Sequence, residues 1–153
     1  LDNLIILAKT RFPSQTIIFN NDLKEPFKLK GVVTELESII DTLIINCCEA
    51  NEISGSQLLN ISIYSKNKGI YIELIDHGNG IAEEILDKMF KPHNTNKTNG
   101  AGMGLFIANR LVKGRYQGSI KLSNTSEINS NENERNADKG TITKLYLQHR
   151  KDS

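Results

Sequence analysis

The 153-residue chain lacks a charge excess of either sign: 19 basic residues face 18 acidic ones, for a net charge of +1. A protein that follows a phosphate backbone usually carries a strong basic surplus, so nucleic acid is not expected as a partner. No apolar run reaches the ~20 residues that span a bilayer, so these residues are not expected to insert in a membrane. The basic–apolar–small order of a secretory signal is missing at the start. The chain begins at Leu1 rather than methionine, which reads as a fragment and leaves open a membrane anchor in a larger parent. Cysteine is scarce as well. Cys47 and Cys48 are the only two, and they are adjacent. Without a CxxC or a second pair a zinc site is not supported. Neighbours on a helix point in different directions, so the expectation is two small, buried, reduced thiols in a cytoplasmic protein.

The rest of the composition, 38% hydrophobic and 24% charged, suits one soluble domain over residues 1–153 with a real core. Residues 1–11 read as a short helix with Leu4, Leu7 and Ala8 on one face, ended by Pro13. Residues 16–19 read as a strand, and residues 27–29 as a second short one. The strongest helix pattern covers residues 34–50. Leu36, Ile39, Ile40, Leu43, Cys47 and Ala50 recur at helical spacing, behind a capping box at Thr34 and Glu37. Two alternating runs, 59–64 and 70–75, flank Lys66-Asn67-Lys68-Gly69, a hairpin turn slightly longer than minimal. Helical stretches are expected at 85–90 and 105–112, and strands at 119–122 and 141–147. The Asn- and Glu-rich stretch 124–139 is expected to be a long flexible loop. This order gives an α+β fold: a two-layer sandwich with a mixed, mostly antiparallel sheet and helices packed on one face.

Three polar features interrupt the core pattern. Asn46 lies roughly 60° from the centre of the apolar stripe of its helix, on the rim of the buried face. Its carboxamide oxygen suits a hard cation such as Mg²⁺, although an Asn there can equally just bond a neighbouring loop. Asp76-His77-Gly78-Asn79-Gly80-Ile81 brings a carboxylate to the end of a strand, followed by two glycines. Such a carboxylate can accept from an exocyclic amine like that of adenine, and an ordinary Asp-Gly turn explains it as well. Gly100-Ala101-Gly102-Met103-Gly104-Leu105 opens a helix, whose N-terminal amides make an anion site. It is neither a Walker loop nor the dinucleotide fingerprint, and alone it is weak.

Together, in this order, the three resemble the N, G1 and G2 boxes of the GHKL ATP-binding superfamily. DNA gyrase, heat-shock chaperones, histidine kinases and mismatch-repair ATPases share it. The N box is Leu43-Ile44-Ile45-Asn46-Cys47-Cys48-Glu49-Ala50, and Lys139-Gly140-Thr141 resembles the last glycine box. Met89-Phe90-Lys91-Pro92-His93-Asn94-Thr95-Asn96-Lys97 is similar to the F box and lid start of histidine kinases. The resemblance covers residues 16–147 and implies the Bergerat fold, ATP and Mg²⁺ as ligands, and a sensor histidine kinase of two-component signalling. It implies Asn46 on Mg²⁺, Asp76 on the adenine amine, and Gly78 and Gly80 at the pocket floor. Gly100, Gly102 and Gly104 would let the lid fold over the phosphates, Thr141 would sit by the adenine, and Lys97 would reach the phosphates from the lid. Ile81, Met103 and Leu105 complete the implied ATP-binding set.

No catalytic residue is assigned. Thr42 stands where relatives carry Asn or a general-base Glu, and threonine cannot act as a base at neutral pH. His77, His93 and His149 fall in turns, the lid or the tail. The phosphoacceptor is therefore expected on a missing upstream dimerisation domain, with residues 1–11 as the junction. A response regulator is the implied partner, and the isolated domain is expected to be monomeric. The competing readings are a non-catalytic nucleotide-sensing module and an anti-sigma-type serine kinase.

Overall fold

The two alternating runs fold as neighbouring antiparallel strands. In the computed structural model they extend to Leu58–Lys66 and Gly69–Asp76. The structure describes residues 1–24, 29, 31–86, 88, 101–125 and 140–148, with residues 83 and 101–103 described in backbone only. In chain order the elements are α1 (Asp2–Arg11), β1 (Thr16–Asn21), α2 (Val33–Ser54), β2 (Leu58–Lys66), β3 (Gly69–Asp76), α3 (Glu83–Leu86), α4 (Ala101–Arg115), β4 (Ser119–Asn124) and β5 (Thr141–Gln148). The five strands form one sheet in the order β1-β2-β3-β5-β4. Only β1 and β2 run parallel, and α2 makes the crossover between them. The other pairings are antiparallel, so the sheet is mixed and mostly antiparallel, as the element order implied.

The period of two in the strands decides which face is buried. Ile61 pairs with Leu74, and Ile72 with Leu145; all four are buried against Ile39, Ile40, Leu43, Ile44, Cys47 and Cys48 of α2. The opposite parity leaves Tyr64, Tyr71 and Tyr146 in register across three strands. Their rings lie 5.3 Å and 5.0 Å apart on the open face. Both cysteines are buried free thiols.

Several local expectations are corrected. Helix α2 starts at Val33, with Val32 as N-cap and no side-chain cap bond. The Val32 carbonyl takes the amides of Glu35 and Leu36 instead, both at 3.1 Å. Thr34 thus falls inside the first turn, where its hydroxyl cannot close a capping box. The helix runs past Ala50 to Ser54 and ends on Gly55 at φ 77°, with the Ser56 amide bonded back to the Asn51 carbonyl. That is a Schellman end. On α1 the buried residues are Leu4, Ile5 and Ala8, while Leu7 is exposed. The apolar stripe there follows i, i+1, i+4, and Arg11 pairs with Asp41 of α2 at 3.1 Å. The short helix is Glu83–Leu86, and the rest of the stretch expected to reach Phe90 lies mostly outside the described residues. In the strand expected over 27–29, Leu29 is not in a strand and the other two residues lie outside the described residues. Strand β4 continues to Asn124, which the sequence assigned to a loop; residues 126–139 of that loop lie outside the described residues.

The hairpin turn is shorter than expected. Lys66 pairs with Gly69, leaving Asn67 and Lys68 as a two-residue loop, with φ of 50° and 66°. Positive φ at both positions is the type I′ geometry that matches strand twist. Asn tolerates it; a lysine does so at a cost. Lys68→Gly is therefore expected to stabilise the fold by about 0.5–1 kcal/mol, read as a higher urea midpoint with an unchanged slope.

Candidate functional site

Asp76 ends β3 on the core-facing parity and is only 3% exposed. Its Oδ1 accepts the amides of Gly78 at 3.0 Å and Thr141 at 3.1 Å. Both bonds end on Oδ1, and the second carboxylate oxygen takes neither. Burial pushes the carboxyl pKa up; the two amides, the Cys47 thiol and His77 pull it back in part. The Cys47 thiol sits behind this carboxylate, 3.9 Å from the Thr143 hydroxyl. Burial and then the Asp76 charge push its pKa well up. Burial likewise drives Cys48 to about 12, aided by Glu52 and Glu49. Neither thiol is a nucleophile at neutral pH.

The turn after Asp76 is held at both ends. At His77, the amide donates to Asn51 Oδ1 at 2.8 Å, and the carbonyl accepts from Ser56 at 2.6 Å and Ser54 at 3.2 Å. Asn51 is fully buried, and its amide also donates to Gln15 Oε1 and to the Leu58 carbonyl, each at 2.9 Å. One side chain on α2 thus ties together the entry to β1, the start of β2 and the turn. At Ile81, the amide donates to Asn124 Oδ1 at 2.8 Å, while Asn124 Nδ2 donates to the Ile81 carbonyl at 2.6 Å. Between these anchors, Gly80 takes φ 77°, a conformation that favours glycine. Gly140 is required for closeness instead, since a β-carbon there would run into the Asp76 carbonyl.

Helices α2 and α4 form the other side. Asn46 is half-buried on α2, one residue before Cys47, and its carboxamide makes no hydrogen bond to another described residue. Thr42, one turn earlier on the same side, donates its hydroxyl to the Ser38 carbonyl at 2.9 Å. Its methyl lies 3.4 Å from the place a β-carbon of Gly104 would occupy. The first turn of α4 therefore rests beside the Asn46 side of α2. Gly102 and Met103 fall in that first turn as backbone, whose free amides point out of the helix start. Leu105 is buried in the core at 2% exposure, and Thr141 is buried at 5%. Asp76, Gly78, Gly80, Ile81 and Thr141 thus meet at one end of the sheet, with Asn46 and Gly104 on the adjoining helices. Lys97 and Gly100 lie outside the described residues.

The sequence reading missed Asn51, Ser54, Ser56 and Asn124. Asn51 had a signal: it follows Leu43 and Cys47 at steps of four, so it continues the buried stripe. Asn124 had none, because it looked like the first residue of an Asn-rich loop.

Comparison with known proteins gives the family and the fold. The profile of the family described as "Histidine kinase-, DNA gyrase B-, and HSP90-like ATPase" matches residues 31–151. The chain belongs to this ATPase family. The C4-dicarboxylate transport sensor protein DctB of Rhizobium meliloti (strain 1021) is 28% identical over 80% of this chain and 20% of its own length. Sporulation kinase D of Bacillus subtilis (strain 168) is 32% identical over 65% of this chain and 19% of its own. The chain spans about a fifth of the length of these relatives. Among solved structures, the mycobacterial sensor histidine kinase MprB superposes at a TM-score of 0.76 and 17% identity, over 99% of this chain and 93% of that one. The catalytic domain of histidine kinase ThkA does so at 0.70 and 21%, over 97% and 91%. The ATPase domain thus has the α+β fold of histidine kinase catalytic domains.

Two substitutions separate structure from chemistry in this ATPase domain. Asn51→Ala strands three partners inside the protein and is expected to cost about 2–4 kcal/mol, seen in chemical denaturation. Asp76→Asn is expected to behave oppositely. The folded pKa of Asp76 lies above its unfolded value, so the carboxyl favours folding while protonated. That advantage is lost as pH rises through the folded pKa, and at neutral pH the buried charge opposes folding. An amide oxygen can still accept from Gly78 and Thr141. The Asp76→Asn variant should therefore melt at the same temperature as the parent or higher at neutral pH, with the difference shrinking in acid.

Proposed function

We propose that this chain is the ATP-binding catalytic domain of a sensor histidine kinase. It would bind Mg²⁺-ATP at the end of the sheet and transfer the γ-phosphoryl group to a histidine on an upstream dimerisation domain, with residues 1–11 as the junction. A response regulator would take the phosphoryl group onward. The domain would be a cytoplasmic monomer in isolation, in a parent that carries its own anchor where it has one. The observation that carries the reading is the Asp76 carboxylate. One oxygen is fixed by two backbone amides, and the other can accept from the exocyclic amine of adenine. Gly78, Gly80, Ile81 and Thr141 would form the floor around the base. The amides at the start of α4, with Gly100, Gly102, Met103 and Gly104, would receive the phosphates, and Lys97 would approach them from the lid. Leu105, buried in the core, would hold that helix in place.

The residues present fit Mg²⁺. Asn46 offers a half-buried carboxamide with no hydrogen bond to another described residue. Among the described residues no three His, Cys, Asp or Glu side chains cluster into a cage. A cation here would rest on Asn46, water and the phosphates, which is how Mg²⁺ is usually held on nucleotides. It would neutralise phosphate charge, the main need of phosphoryl transfer.

A second reading, nucleotide sensing without transfer, is favoured by one observation: the Thr42 hydroxyl is spent on the Ser38 carbonyl, so no side-chain base stands one turn before Asn46. Titration with ATP and Mg²⁺ should show saturable binding, weakened about 10–100-fold in Asp76→Asn by loss of a charge-assisted hydrogen bond. Absence of binding by the parent chain would end both readings. Incubation of the full-length protein with radiolabelled ATP should yield acid-labile phosphate. Binding without any such label supports the sensing module, and acid-stable label on a partner supports a serine kinase.

A further inference from the structure

We infer that Asn124 is a positioning residue of the nucleotide site: its carboxamide closes the turn after Asp76 into a ring and thereby fixes the carboxylate that reads the base. The inference rests on the nucleotide reading and adds a residue that the sequence motifs do not contain.

Asn124 is the last residue of β4, in register with Thr141 of β5. Thr141 is in turn in register with Asp76 of β3, and its amide bonds the Asp76 carboxylate at 3.1 Å. Beyond Asp76 the chain leaves the sheet, turns through Gly78 and Gly80, and returns to Asn124 at Ile81. There the side chain behaves as one more rung of backbone. Its oxygen accepts the Ile81 amide at 2.8 Å, and its nitrogen donates to the Ile81 carbonyl at 2.6 Å. A primary amide supplies a donor and an acceptor on one planar group, which is what a strand residue offers its neighbour. The circuit runs from Asp76 through the turn to Ile81 and, by two hydrogen bonds, to Asn124; it returns through the β4–β5 ladder, where the Thr125 amide bonds the Gly140 carbonyl at 3.1 Å, to Thr141 and its bond to Asp76. Gly80 lies on the inside of this circuit: a β-carbon there would stand 3.0 Å from Asn124 Oδ1. The glycine and the clamp are thus fitted to each other.

Opening the circuit at Asn124 frees Ile81, and with it the Gly78 amide that holds Asp76 Oδ1. The carboxylate then loses its fixed direction while remaining in place at the end of β3. Its selectivity for an amine-bearing base should fall along with affinity. Asn124→Asp is the discriminating change: it keeps the acceptor for the Ile81 amide and sets an oxygen against the Ile81 carbonyl. Asn124→Leu removes both bonds and serves as a second variant.

The experiment measures Mg²⁺-ATP and Mg²⁺-purine riboside triphosphate, which lacks the exocyclic amine, on the parent chain and both variants, alongside melting curves. The parent should prefer ATP. Asn124→Asp should bind ATP about tenfold more weakly, the loss of one turn-fixing bond, with the preference over the amine-free nucleotide reduced and melting shifted by only a few degrees. Parent-like affinity and preference in both variants would overturn the inference while leaving the nucleotide reading intact. So would a loss of affinity that tracks the unfolded fraction and vanishes on cooling, because that marks a purely structural role. A parent chain that binds neither nucleotide overturns the nucleotide reading, and this inference with it.

Discussion

A carboxylate buried at the end of a central strand sets the terms for the rest of this molecule. Asp76 has lost most of its water at the end of β3, and that desolvation opposes folding. Fixed backbone donors offset part of that cost. Two backbone amides, from Gly78 and Thr141, converge on one oxygen. Each of those amides needs its own support: the turn must double back within two residues, and β5 must pass close enough for its first residue to face β3. The glycines follow from this demand. Gly80 supplies the positive φ, and Gly140 lets β5 graze the Asp76 carbonyl.

The support then spreads outward through asparagines. Asn51 and Asn124 each satisfy backbone groups of the turn that no strand or helix partner reaches. A buried primary amide is costly unless its donors and its acceptor are all used. Asn51 meets that condition with three bonds to three separate segments. The end of α2 is thereby coupled to the turn, and its Schellman geometry places Ser54 and Ser56 on the His77 carbonyl. Helix α2 borders the candidate site twice: with Asn46 on its rim, and with its C-terminal end as a brace for the turn.

Much of this was legible in the residue pattern. The hydrophobic period placed α2, β2, β3, α4 and β5, and the end of the second alternating run placed Asp76 at a strand terminus. Boundaries were less legible, because they depend on partners distant in sequence. The capping pattern at Thr34 was overruled by backbone bonds to Val32, and Leu7 lost its place in the core to Ile5. The turn at Asn67 was misjudged because Lys68 has no propensity for positive φ; pairing of the strands imposes it. The candidate site was legible where the backbone favours a rare residue in a special place, as at Gly80 and Gly140. It was hidden where a common polar residue acquires its role only through the fold. Nothing near Asn124 in the sequence says that Ile81, 43 residues earlier, will lie beside it.

The open face of the sheet carries a different consequence. The chain has no tryptophan and four tyrosines, and three of those, Tyr64, Tyr71 and Tyr146, form one stack on the side away from α2. Ultraviolet emission from this protein is therefore phenolic, and excitation absorbed by any ring of the stack is shared with its neighbours. Three of the four emitting rings lie on that face, and the fourth, Tyr116, is buried with its hydroxyl on the Val32 carbonyl. An optical titration would therefore report mainly on the face of the sheet away from α2 rather than on the turn after Asp76.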